Sequence, residues 1–255
     1  MSVEDDFQSA AEALRIARKI VFFTGAGISA ESGIPTFRDK LTGLWETYSP
    51  QHLETAKAFR ENPALVWGFY LWRRHQSKCA LPNAAHLAIQ QIASCGRDVS
   101  VVTQNIDDLH ERAGSSSVVH LHGSLEHPKC FACSRWLSLS SEQLSLPVDG
   151  LEKEPPRCRH CNGRLRPGIV WFKEDLPAGA WKATMQLVRE CDVLVSVGTS
   201  GVVTPAADIP EIARKSRAMV IHVNIEDVSL GEENELMLIG RATEVLEALL
   251  DATGL

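Results

Sequence analysis

The sequence predicts an α/β protein: a parallel sheet covered by helices on both faces, with a smaller inserted domain. Two patterns predict the sheet and a third predicts the insertion. Short apolar, β-rich runs stop at glycine or at a polar turn, as strands buried on both faces do. Helix-periodic segments alternate with those runs, which is the signature of βαβ units. Residues 126–167 then break the rhythm with four cysteines, a proline pair and little periodicity. Right-handed crossovers convert such an alternation into a doubly wound, Rossmann-like sheet.

Phe7, Ala10, Ala11, Leu14 and Ala17 recur at helical spacing, so residues near 5–18 form an amphipathic helix. Lys19 to Thr24 is the first strand, and it ends at Gly25. Residues 50–82, rich in Trp and Phe, are a helical insertion. Ala84, Leu87, Ala88 and Ile92 mark a helix near 83–95. Val99–Thr103 and Val118–Leu121 are the next strands. Trp181, Met185 and Val188 mark a helix, and Val193–Val197 is a strand that again stops at glycine, Gly198. Met219–Val223 is the last clear strand, and a helix near 243–251 closes the chain. The expected division is therefore a sheet domain from residues 1–49, 83–125 and 168–255, with a helical insertion at 50–82 and a metal-binding one at 126–167.

A chain of 255 residues that is 44% hydrophobic can bury a full core without a disulfide scaffold. Its net charge of −6 argues against a general nucleic-acid binder, which needs a basic surplus to meet phosphates. No apolar run approaches the roughly 20 residues that span a bilayer. The start, MSVEDDFQ, lacks the charged-then-apolar layout of a signal peptide. A cytoplasmic protein with no membrane partner is expected. Seven cysteines, an odd count, fit reduced thiols plus a metal better than a disulfide framework.

Cys130-Phe131-Ala132-Cys133 and Cys158-Arg159-His160-Cys161 are two CxxC knuckles. Each points two sulfurs at one centre, and two together complete the tetrahedral thiolate shell that zinc prefers. A closed shell leaves no position for water, so the metal is expected to be structural. Cys79, Cys95 and Cys191 read as ordinary small residues.

Gly25, Gly27 and Gly33 follow the first strand directly. Glycines at the first strand-to-helix turn let backbone approach a pyrophosphate. The spacing is looser than GxGxxG, and a plain tight turn is the lesser alternative from the loop alone. Gly198-Thr199-Ser200 adds a second polar strand end, and Asn224 and Glu226 after the last strand suit a ribose hydroxyl. His120 and His122 lie two apart at a strand end, so their side chains share a face, and spacing does not choose between them. A neutral imidazole suits proton abstraction from a hydroxyl. Asp107 also reads as a helix N-cap.

The motifs run in one order: GAGIS, GIPTFR (Gly33–Arg38), TQNID (Thr103–Asp107), HLHG (His120–Gly123), the paired CxxC, VWF (Val170–Phe172), GTS and NIE. From about residue 20 to 245 the chain resembles the sirtuin family of NAD-dependent protein-lysine deacylases. The resemblance implies that Gly25, Ala26, Gly27, Thr36, Phe37, Arg38 and Trp45 belong to the loop region covering NAD. It places Gln104, Asn105, Ile106 and Asp107 around the nicotinamide and its ribose. Gly198, Thr199 and Ser200 match the phosphate and adenosine side, Asn224 and Glu226 the adenosine ribose, and Ala242 the adenine contact. It selects His122 as the catalytic base, with Asn105 as its catalytic companion.

The implied reaction consumes NAD. The acyl oxygen of a modified lysine attacks the ribose as nicotinamide leaves, and the acyl group departs as O-acyl-ADP-ribose. Val170, Trp171 and Phe172 match the strand edge that takes the acyl-lysine peptide through backbone bonds. Tyr70 and Arg73 share a helical face, and match the pair by which desuccinylase-type members read acidic acyl chains. Removal of succinyl and malonyl as well as acetyl is therefore expected. An NAD-consuming ADP-ribosyltransferase or NAD glycohydrolase is the alternative, since it shares the NAD site. Residues 227–239 match no motif.

Overall fold

The chain is described here by a computed structural model covering residues 3–36, 45, 46 and 48–254. It opens with α1 (Val3–Ile16), β1 (Lys19–Thr24) and α2 (Ala26–Ala30). The helices α3 (Pro50–Leu53), α4 (Ala56–Glu61), α5 (Pro63–Cys79) and α6 (Ala84–Ser94) follow. Next come β2 (Asp98–Thr103), α7 (Leu109–Arg112), β3 (Val118–His120), β4 (Gly123–Cys130) and β5 (Leu165–Ile169). The chain continues through α8 (Ala178–Glu190), β6 (Val193–Val197), α9 (Ile209–Lys215), β7 (Met219–Asn224), β8 (Glu235–Ile239) and α10 (Ala242–Thr253).

The main sheet has the order β3-β2-β1-β6-β7-β8. Every neighbouring pair in it is parallel. This is the doubly wound arrangement, with its topological switch between β1 and β6. Its strands are apolar on both faces because each face is covered. Ile20 and Phe22 of β1 pack with Leu14 of α1, Ile89 of α6 and Leu246 of α10. The alternate residues Val21 and Phe23 pack with Val188 of α8 and with Ile209 and Ala213 of α9. Each such fully buried aliphatic or aromatic side chain contributes roughly 1.5–3 kcal/mol.

A second core joins the two inserted segments. Trp67, Phe69, Tyr70 and Leu71 of α5 pack with Leu125, Cys130, Leu165 and Ile169 of the antiparallel β4–β5 pair. The helical segment and the cysteine-rich segment thus form one smaller domain. Gly68 makes their contact close: a Cβ there would lie 1.8 Å from the Leu151 carbonyl oxygen. Asn62 caps α5, its side chain accepting from the Leu65 N–H at 3.1 Å, and its amide reaches Glu152 at 2.8 Å.

The unassigned segment 227–239 holds β8, the sheet's last strand. It is anchored by His222, whose Nε2 lies 2.8 Å from Glu235 Oε1 with both side chains buried.

At the switch point two strand-end loops meet backbone to backbone. The Gly25 N–H donates to the Val197 carbonyl at 2.9 Å and the Gly27 N–H to the Gly198 carbonyl at 3.0 Å. A Cβ on Gly198 would sit 2.6 Å from both Gly27 Cα and Ile28 N, and Gly198 has φ +59°. Gly201 has a similar φ of +64° but open space around it. Gly198→Ala is therefore expected to cost about 2–4 kcal/mol and Gly201→Ala only about 1 kcal/mol. Urea denaturation of the two variants checks this; equal losses would remove the contact as the cause.

Candidate active site and metal centre

β2 ends at Thr103, and the peptide groups beyond it leave the sheet. The Gln104 N–H donates to the Thr24 carbonyl at 2.9 Å, which ties this segment to β1. Three successive carbonyls then hold the β3–β4 connection. That of Gln104 lies 2.9 Å from His122 Nδ1, that of Asn105 lies 3.0 Å from His120 Nδ1, and that of Ile106 accepts the Leu125 N–H at 2.9 Å.

These contacts separate the two histidines that spacing left open. A carbonyl oxygen only accepts, so Nδ1 carries the hydrogen in both rings. His120 Nε2 faces Glu111 Oε1 at 2.7 Å, a second acceptor that favours the charged ring. Burial opposes that charge, but the hydrogen bond and charge of Glu111 outweigh it and raise the pKa. His122 is the opposite case. Burial lowers its pKa below the ordinary histidine value, and the Gln104 carbonyl and Glu54 charge offset this only in part. It is a neutral ring at pH 7 whose Nε2 holds a lone pair, the form a general base needs.

Asn105 and Asp107 are buried beside the glycine loop. Asn105 Nδ2 donates to the Gly25 carbonyl at 3.1 Å and to Ser29 Oγ at 3.0 Å. Both amide hydrogens are engaged, so the amide's remaining polar atom is the acceptor Oδ1. The Ser29 hydroxyl donates to Asp107 Oδ2 at 3.2 Å, and Asp107 Oδ1 accepts the Leu109 N–H at 3.2 Å. The capping position of α7 is Asp108, one residue later than the sequence suggests, yet Asp107 still bonds the first helical N–H. Burial raises the Asp107 pKa. Ser29 and Glu111 were missed by sequence reasoning; only the presence of Ser29 within GAGIS signalled either.

The remaining dinucleotide candidates divide. Gly25 and Gly27 are needed for packing on Gly198, a different task from the phosphate approach that their sequence context suggests. Thr199 Oγ1 lies 2.9 Å from Ser196 Oγ, and the Thr199 carbonyl accepts from Asn224 Nδ2 at 2.7 Å. Asn224 is therefore engaged with its own chain, while Ser200, Ala26, Thr36 and Ile106 are half-buried and Glu226 is exposed. A small cleft of about 80 Å³ is lined by Gln104 and Thr199 together with Gly201, His222 and Leu230. The methyl of Ala242 belongs to the main core. The Trp45 ring is buried against Phe69 at 5.1 Å and Tyr48 at 5.6 Å, in the core of the smaller domain. Phe37 and Arg38 lie outside the described residues.

The peptide and acyl candidates have partners within the chain. The Val170 N–H donates to the His122 carbonyl at 2.8 Å and the Phe172 N–H to the Glu54 carbonyl at 2.9 Å. Those two donors are engaged within the chain and are not available to a peptide. The Phe172 side chain is exposed, but Trp171 is buried, with the Arg166 guanidinium 3.4 Å over its ring. Tyr70 is buried too; its hydroxyl donates to the Leu125 carbonyl at 2.7 Å, and burial raises its pKa. Arg73 forms an ion pair with Glu54. The phenol and guanidinium that the resemblance pairs as a carboxylate receptor are therefore each engaged by a partner of their own chain in this structure.

The four knuckle cysteines do come together, their sulfurs all within 4.8 Å of one another. Cys130 and Cys161 sulfurs are 3.4 Å apart and Cys133 and Cys158 sulfurs 3.8 Å. Zinc with bonds of about 2.3 Å needs edges of about 3.8 Å, so this donor set is compatible with a structural zinc. The knuckles repeat one design. The Ser134 N–H donates to the Cys130 carbonyl at 3.0 Å, and the Asn162 N–H to the Cys158 carbonyl at 2.8 Å. Both Ser134 and Asn162 adopt left-handed backbone, with φ of 58° and 59°.

A profile of the Sir2 family matches residues 25–205. The chain is 66% identical over 249 residues to the NAD-dependent protein deacylase of Pseudomonas putida, covering 98% of this chain and 95% of that protein. It is 51% identical over 239 residues to NAD-dependent protein deacylase 1 of Pseudomonas aeruginosa, covering 94% and 96%. Among solved structures, a Sir2 homolog in complex with NAD superposes with a TM-score of 0.86 at 38% identity, covering 96% of this chain and 93% of that one. Sir2Af2 bound to a myristoylated histone peptide superposes with a TM-score of 0.75 at 34% identity, covering 98% and 97%.

Removing one thiolate breaks the closed shell. Cys133→Ser is expected to lose roughly one zinc per chain by elemental analysis and to lower Tm by roughly 10 °C. Unchanged metal content in that variant would contradict the four-cysteine assignment.

Proposed function

The chain belongs to the Sir2 family, and on that footing we propose that it removes acyl groups from protein lysines at the expense of NAD. The observation that carries this reading is the His122 ring. Its Nδ1 hydrogen is engaged by the Gln104 carbonyl, its pKa is lowered by burial, and its Nε2 is the basic atom. The names of the similar proteins and the acylated peptide seen with one of them support the substrate class.

In the proposed reaction the acyl oxygen attacks the anomeric carbon of the NAD ribose, and the bond to nicotinamide breaks. His122 Nε2 takes the proton from a ribose hydroxyl, whose oxygen attacks the carbon of the adduct. One water is consumed, the lysine amine is released, and the acyl group leaves on ADP-ribose. Asn105 Oδ1 is the acceptor for a water or a carboxamide N–H beside that chemistry. The acyl range we infer covers acetyl and, through Arg73, the acidic succinyl and malonyl groups. The partners are acyl-lysine proteins or peptides in the cytoplasm, with no nucleic acid. Among the described residues, no helix is long and apolar enough to cross a membrane.

Mass spectrometry of products from NAD with acetyl- and succinyl-lysine peptides tests the proposal. O-acyl-ADP-ribose, nicotinamide and free lysine are expected in equal amounts. Nicotinamide release that ignores the acyl peptide would favour an ADP-ribosyltransferase or glycohydrolase instead. His122→Ala should lower turnover by about 10²–10⁴-fold. A base must be unprotonated, so activity falls as pH drops through the His122 pKa. With that pKa lowered, the acid limb is expected below the ordinary histidine value near 6.5; a limb above it would contradict the assignment.

A further inference from the structure

Arg73 faces a carboxylate supplied by its own chain. The Glu54–Arg73 pair is largely withdrawn from water, the side chains being 15% and 21% exposed. Glu54 is held at both ends of its peptide unit. Its N–H donates to the Pro50 carbonyl at 2.8 Å, and its carbonyl accepts the Phe172 N–H at 2.9 Å. Two residues earlier, the Val170 N–H donates to the His122 carbonyl at 2.8 Å. One three-residue segment therefore anchors both Glu54 and the proposed base, and the Glu54 charge reaches the His122 ring.

We propose that Glu54 sets the acyl selectivity: seated on Arg73, it occupies the place of a substrate carboxylate and favours uncharged acyl chains over succinyl and malonyl. This rests on the reading of Arg73 as the group that meets an acidic acyl chain. A succinyl carboxylate has two routes to that guanidinium. It displaces Glu54, which is tethered and so present at high effective concentration. Otherwise it joins Glu54 as a second negative charge on one cation in a poorly hydrated site, which like-charge repulsion disfavours. The neighbouring cations give no relief. Arg74 is 3.1 Å from Glu126, and Lys78 is 2.6 Å from Asp108. The Tyr70 hydroxyl is already bonded to the Leu125 carbonyl. An acetyl group meets neither obstacle.

The test compares kcat/KM on acetyl- and succinyl-lysine peptides of one sequence, for the wild-type protein, Glu54→Gln and Glu54→Ala. The readout is the succinyl-to-acetyl ratio, which cancels losses common to both substrates. The ratio is expected to rise at least tenfold in both variants, and Glu54→Gln keeps the side-chain size should the alanine variant fold poorly. A ratio that stays within twofold of the wild type, or falls, overturns the proposal. Failure of the Arg73 reading has a different signature. Succinyl turnover gained in Glu54→Gln would then survive the added Arg73→Met substitution, whereas the proposal requires it to be lost.

Discussion

Three carbonyl groups in a row, those of Gln104, Asn105 and Ile106, hold the site together. They become available because β2 stops at Thr103, so peptide groups that would have entered the sheet ladder must find other partners. They bond His122, His120 and Leu125 in turn. The consequence is chemical as well as structural. A carbonyl that takes the Nδ1 hydrogen of an imidazole leaves a basic Nε2, provided nothing else charges the ring. Glu111 favours charge on His120 and raises its pKa, whereas burial lowers that of His122.

The sheet and the smaller domain contribute differently. The sheet provides a rigid rim, fixed where the loops of Gly27 and Gly198 touch backbone to backbone. The smaller domain brings Glu54 and Arg73, and its own core is shared by α5 and the β4–β5 pair beside the cysteines. The segment Val170–Phe172 links the two, since it bonds the His122 carbonyl at one end and the Glu54 carbonyl at the other. A zinc that secures the knuckles therefore stabilises a domain that reaches the reaction centre through that segment.

Strands β1 and β6 were legible because they are apolar on both faces and stop at glycine. β8 was not, since ELMLI follows a polar stretch and lies at the sheet edge. β4, with the sequence GSLEHPKC, was hidden for a related reason: its polar residues and proline resemble a loop until β5 pairs with it. The cysteine quartet was fully readable because ligand spacing is local. The glycines were readable as a turn, but their reason was not, because Gly198 is remote in sequence. Trp45, Tyr70 and Trp171 show the same limit. Their residue types suit a ligand site, and only long-range packing reveals that their rings are core. The two histidines were the most instructive pair: motif order singled out His122, while the physical distinction lies in partners that spacing does not show.

The central claim is a statement about one proton, and ¹⁵N NMR of histidine-labelled protein at neutral pH reads it directly. The account predicts His122 as a neutral ring protonated at Nδ1, with His120 keeping its charge to a higher pH than His122. A His122 ring carrying its proton on Nε2, or charged at that pH, would contradict it.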